Sequence, residues 1–178
     1  MAVIEAIKTV YLEADNVQIV NFTSIPQSYQ HLQLRISSHD QYDTTNDWIY
    51  LRYNSSTGSD YSYHALEGYQ ASVNNTQGTG KNYGWMAGAA GSWKGVGRPT
   101  YSSAVIDILN YSDGVTSTTS FSHSGMTTGS QISSGKTSRP GSCAWDNQSA
   151  INSIKIYVIY TSPFQRGSSF SLYGINSS

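Results

Sequence analysis

At 178 residues the chain fits one domain and is long enough to bury a core without a metal or disulfide staple; a single cysteine, Cys143, leaves no intrachain disulfide to form. Charged residues make up 12% of it, about half the usual share, and the formal net charge is −1. That balance gives no electrostatic reason to expect nucleic acid or an anionic membrane as partner.

The predicted elements are strands. Val3–Leu12 reads as a first strand or an arm, although Ile4, Ile7 and Val10 also suit a short helix. Val17–Phe22 is short and β-branched. Tyr29–Ser38 alternates, with Leu32, Leu34 and Ile36 on one face and Gln33, Arg35 and Ser37 on the other. Trp48–Asn54 sets Ile49, Leu51 and Tyr53 opposite Trp48, Tyr50 and Arg52. Tyr61–Leu66 follows a Ser/Gly-rich turn and is expected to be its hairpin partner. Tyr101–Asn110 places Ala104, Ile106 and Ile108 together. Val115–Ser122 is Thr-rich and reads as an edge strand or part of a solvated sheet. Ile151–Tyr160 carries Ile154, Ile156, Val158 and Tyr160 on one face, and Ser168–Ile175 closes the set.

Short Tyr/Ile/Val-rich strands separated by Gly/Asn/Ser turns predict an all-β fold: an antiparallel β-sandwich, jelly-roll-like, as a single domain over residues 1–178. Residues 74–100 and 123–142 are read as long loops. Loops of that length in a compact domain tend to carry function. Trp85, Met86, Trp93, Lys94, Arg98 and Arg139, which they hold, are therefore candidates for a partner interface. Tyr61, Tyr63, Tyr69 and Tyr83 are the candidates for stacking on a glycan.

No reaction chemistry is expected. Asp40, Asp43 and Asp47 match no calcium-loop spacing, and His31, His39, His64 and His123 are scattered without metal-ligand spacing. Cys143 reads as a buried, inert thiol. Gly78, Gly80 and Gly84 do not form a phosphate loop and read as turn glycines. The expectations are no enzyme, no cofactor and no metal. The N-terminal residues show neither a basic region nor an apolar run, so no signal peptide and no membrane span are expected.

Three blocks carry a resemblance. They are Phe22–Ser38 with its Ser-Ile-Pro turn, Leu51–Leu66 with its Asn-rich turn and Tyr-Ser-Tyr strand, and Ala150–Ile156 followed by Phe170-Ser-Leu-Tyr-Gly-Ile175. In this order they resemble small tailed-phage virion structural proteins. The resemblance implies a non-enzymatic virion protein made in the host cytoplasm. It implies a capsid decoration or cement protein bound to the major capsid protein or another virion protein, as a homo-oligomer and often a trimer. The alternative is a tail appendage that recognises host glycan. Low overall charge implies attachment that is rather insensitive to salt.

Overall fold

The computed structural model describes residues 3–41, 47–69, 71–92, 100–127, 136–158 and 163–176. Twelve strands run through them: β1 Val3–Tyr11, β2 Ile19–Phe22, β3 His31–Asp40, β4 Asp47–Tyr53, β5 Tyr61–Tyr69, β6 Ser72–Lys81, β7 Gly84–Ser92, β8 Ser102–Ile108, β9 Thr118–Thr127, β10 Lys136–Trp145, β11 Ile154–Val158 and β12 Ser169–Asn176.

Eight of these strands form a long hairpin rolled up on itself. The outermost pair is β1 with β12, followed inward by β2 with β11, β3 with β8 and β4 with β7, all antiparallel. Rolling brings β12 against β3 and β11 against β4. The results are the half-sheets β1-β12-β3-β8 and β2-β11-β4-β7, packed face to face. That is the jelly-roll sandwich expected from the strand pattern. Two insertions widen it. The β5–β6 hairpin between β4 and β7 and the β9–β10 hairpin between β8 and β11 pair with one another. They extend the first sheet to eight strands in the order β1-β12-β3-β8-β9-β10-β5-β6.

The core lies between the sheets and follows the period-two alternation. Leu32, Leu34 and Ile36 of β3, Ile49, Leu51 and Tyr53 of β4, Ile154 and Ile156 of β11, and Phe170 and Leu172 of β12 all point inward and are buried. Trp145 closes one end against Tyr53 and Tyr61, with ring centroids 5.5 and 6.2 Å away.

Three expectations change. Residues 74–100 and 123–142 are not mainly loops. The first stretch holds most of β6 and all of β7, and the second holds the end of β9 and most of β10. Gly, Ala, Asn and Ser hide these strands because their local preference for strand is weak, whereas cross-strand pairing settles them. Tyr61–Leu66 does not pair with β4. Asn54–Asp60 carries the chain from one sheet to the other, so Tyr53 and Tyr61 meet across the core. Asn54 anchors this crossing in the left-handed region (φ 49), its amide donating to Ala150 O while its Oδ1 accepts from the Asn152 and Ser153 amides. Finally, β9 is no edge. It lies between β8 and β10 and buries Thr118, Ser120, Ser122 and Ser124 on its inner face.

Candidate aromatic and cationic interface

The alternation that buries Ile49, Leu51 and Tyr53 turns Trp48, Tyr50 and Arg52 to the outer face of the four-stranded sheet. In β11 the same rule sends Lys155 and Tyr157 outward, and in β2 it sends Ile19 and Asn21. Register then assembles two parallel rows across this face. Ile19, Tyr157, Tyr50 and Trp85 oppose one another strand by strand, and Asn21, Lys155 and Arg52 form the row beside them.

The first row is an aromatic ladder. Tyr50 stacks on Tyr157 at 6.0 Å and on Trp85 at 6.5 Å. It meets Tyr83 edge-on at 4.4 Å, and Trp85 meets Trp48 and Tyr63 edge-on at 5.0 and 5.2 Å. Tyr63 and Tyr83 stack at 6.1 Å. Cations lie over the rings: the Arg52 guanidinium is 5.3 Å and the Lys155 ammonium 5.9 Å from the Tyr157 centroid. Arg52 Nε donates to Asn82 O at 2.7 Å, which fixes the plane of the guanidinium.

Beneath the Trp48 end, Arg139 of β10 lies over both tryptophan rings and pairs with Glu67 of β5 at 2.6 Å. This is the sole ion pair among the described residues. Burial pulls the Arg139 pKa down, with Glu67 opposing. Burial and the hydrogen bond to Tyr83 push the Tyr63 phenol up to about 12. Burial also raises Tyr157, with Arg52 opposing. Both phenols are therefore neutral at neutral pH, and the outer face carries a local positive charge from Arg52 and Lys155. Trp85 Nε1 and the Tyr157 hydroxyl are buried atoms with no hydrogen-bond acceptor among the described residues.

The predicted residues divide around this cluster. Trp85 and Arg139 belong to it but are 5% and 3% exposed, because the chain's own aromatic rings cover them; they support a surface more than they present one. The Met86 side chain and residues Trp93, Lys94 and Arg98 lie outside the described residues. Of the glycan candidates, Tyr61 is fully buried in the core, since β5 turns it toward Trp145. That burial removes it as a glycan contact. Tyr63 and Tyr83 are half-buried members of the cluster, and the Tyr69 side chain lies outside the described residues. The two candidate sets that sequence kept apart thus converge. Trp48, Tyr50, Arg52, Lys155 and Tyr157 were missed as site residues. Their alternation was visible, but the adjacency of β4 and β11 was not.

The outer face of the eight-stranded sheet is different. Arg35, Val105, His123 and Pro140 form one cross-strand row, and Ser37, Ser103, Gly125, Ser138 and Gly68 form the next. A shallow cavity of about 320 Å³ lies between them, lined in part by Val105, His123, Gly125 and Ser138. His123 Nε2 is 3.1 Å from Ser138 Oγ. Phe121, 51% exposed, stands nearby.

Among the described residues, no group of three or more His, Cys, Asp or Glu side chains could hold a metal. His31 accepts from the Asn110 amide, His39 is buried beside Tyr101, and the histidines do not converge. Asp40 is buried at the end of β3, while Asp43 and the Asp47 side chain lie outside the described residues. Cys143 is 2% exposed, and burial pushes its thiol up to about 12. No family model, curated protein or solved structure matches the chain.

Proposed function

We propose that this chain is a non-enzymatic structural protein of a tailed-phage virion: a decoration or cement protein that attaches to the outside of the assembled head and stabilises it. The observation that carries the reading is the cluster of Trp, Tyr and Arg side chains across the four-stranded sheet, in which the partly exposed Trp48, Arg52 and Tyr157 rest on the buried Tyr50 and Trp85; these are the residue types that anchor protein interfaces. The resemblance of its three sequence blocks to small virion proteins supports the virion setting, with the major capsid protein as partner and a trimer as the attached form. Stabilisation follows by mass action: a protein that binds the assembled lattice and not the free subunits adds about 2.7 kcal/mol per site at a hundredfold excess over its Kd. Immunogold labelling of intact virions tests it. Gold spread over the head is the expected result; gold confined to the tail, or no gold, overturns the decoration role.

A second reading has its own observation. The cavity between Val105, His123 and Ser138, with Phe121 beside it, suits a sugar ring and favours a tail appendage that touches host glycan. It predicts that Phe121→Ala with His123→Ala lowers host adsorption and leaves head stability unchanged.

A further inference from the structure

We propose that the aromatic and cationic face of the four-stranded sheet docks on an acidic protein surface, presented by the shell, whose Asp or Glu side chains meet Arg52 and Lys155. The inference rests on the virion reading for the identity of the partner and on the geometry of the face for its chemistry.

The charged residues of the face are both positive. Lys155 and Arg52 stand opposite each other in one row, and neither has a carboxylate within ion-pair distance among the described residues. The chain as a whole carries −1, so this local excess is a matter of placement and not of composition. A carboxylate is an acceptor only, with about four lone-pair sites, and it also supplies the missing negative charge.

The aromatic row selects among acidic partners. Ile19, 40% exposed, and the partly exposed Tyr157 give a short apolar strip beside the charged row, backed by Tyr50 and Trp85, which are buried behind it. An aromatic centre flanked by Arg and polar groups is the composition of a protein interface. A neutral glycan has no charge to answer Lys155 and Arg52. Nucleic acid calls for a longer basic stripe than two side chains.

The chemistry reverses one expectation from composition. Attachment through Arg52 and Lys155 is salt-sensitive despite the low overall charge, because raising NaCl from 50 to 500 mM shortens the screening length from about 14 Å to about 4 Å.

Two measurements test this. Heads of the encoding phage, assembled without this chain, are titrated with the wild type and with the Arg52→Gln, Lys155→Gln double variant at both salt concentrations. Wild-type affinity is expected to fall about tenfold with salt. The double variant is expected to bind about tenfold more weakly at low salt and to change less than about threefold with salt. In parallel, tryptophan fluorescence follows titration with poly-L-glutamate, hyaluronate or poly-L-lysine. Poly-L-glutamate is expected to perturb the wild type alone, and poly-L-lysine neither protein. Urea midpoints for both proteins confirm that the variant is folded. Head binding that ignores both salt and the substitutions overturns the inference and leaves the virion reading standing. A response to hyaluronate without one to poly-L-glutamate overturns it in favour of an anionic glycan. Binding of poly-L-glutamate without binding to heads overturns the shell as partner and the decoration role with it.

Discussion

Neutralising Glu67 leaves the Arg139 guanidinium charged and unpaired inside the protein. The two groups are 2.6 Å apart, with side-chain exposures of 3% for Arg139 and 15% for Glu67. At an effective dielectric constant of about 20, unit charges at this distance attract by about 6 kcal/mol gross. Desolvation costs several kcal/mol per ion and cancels most of that, so the intact pair contributes little net stability. Breaking it on one side is different, because the desolvation of Arg139 remains without its compensation. Glu67→Gln is therefore expected to destabilise by about 3 kcal/mol, the lower end for buried pairs since Glu67 retains some water. For a chain of this size that is a fall in Tm of about 6–12 °C. Replacing both partners, Arg139→Met with Glu67→Leu, is expected to return stability to within about 1 kcal/mol of wild type. The Met side chain keeps the apolar contact beneath Trp48 and Trp85 that Arg139 now makes. Urea unfolding of wild type, Glu67→Leu, Arg139→Met and their double variant, followed by tryptophan fluorescence, gives the coupling energy, with Glu67→Gln measured alongside. A Glu67→Gln variant within about 0.5 kcal/mol of wild type would refute the reasoning, since it would mean that Arg139 finds water or another acceptor.

Gly84→Ala places a Cβ 2.9 Å from Cys143 Sγ and 3.2 Å from Leu51 Cδ1, so it is expected to cost about 1–3 kcal/mol. Adding Cys143→Ala should recover part of that loss; strictly additive denaturation energies would show that the thiol is not the obstacle. Gly174→Ala in the closing strand drives a Cβ into the Tyr29 ring, at 2.3 Å from its nearest atoms, and displaces the Tyr29 hydroxyl from Glu5. It should destabilise the wild type by a similar amount and have far less effect in a Tyr29→Ala background, as measured by urea midpoints. His39 is fully buried, and burial lowers its pKa from 6.5 against smaller upward effects of the Arg166 carbonyl and Asp15. The unfolded chain therefore takes up the proton first, so stability is complete above about pH 6.5 and falls as pH drops toward the folded pKa. Thermal melts from pH 7.5 to 5 should show this slope, and His39→Gln should flatten it; an unchanged slope would assign it to other groups.

The strand pattern was legible because burial on one face imposes a period of two. Leu32, Leu34 and Ile36 repeat it, as do Ile49, Leu51 and Tyr53, and each triplet is buried as expected. β7 and β10 were not legible. Gly84–Ser92 is mostly Gly and Ala, and β10 carries Pro140 and Gly141, so neither shows the branched or aromatic signature of a strand. The β4–β5 hairpin was misread for a related reason. A Ser/Gly turn between two alternating segments does not say whether the chain returns along its own sheet or crosses to the facing one.

The candidate site depended on the same missing information. Trp48, Tyr50 and Arg52 share a face by alternation alone, and so do Lys155 and Tyr157, because neighbouring side chains on a strand must point to opposite sides. The sequence by itself therefore determined which residues share a face within each strand, the all-β class and the low overall charge. Tertiary structure decided that β11 lies beside β4 and that β10 brings Arg139 under Trp48. Only then do aromatic rings and cations more than a hundred residues apart in the chain become one surface. Pairing between distant strands is set by how the whole hairpin rolls to bury its apolar faces, and no local segment encodes that.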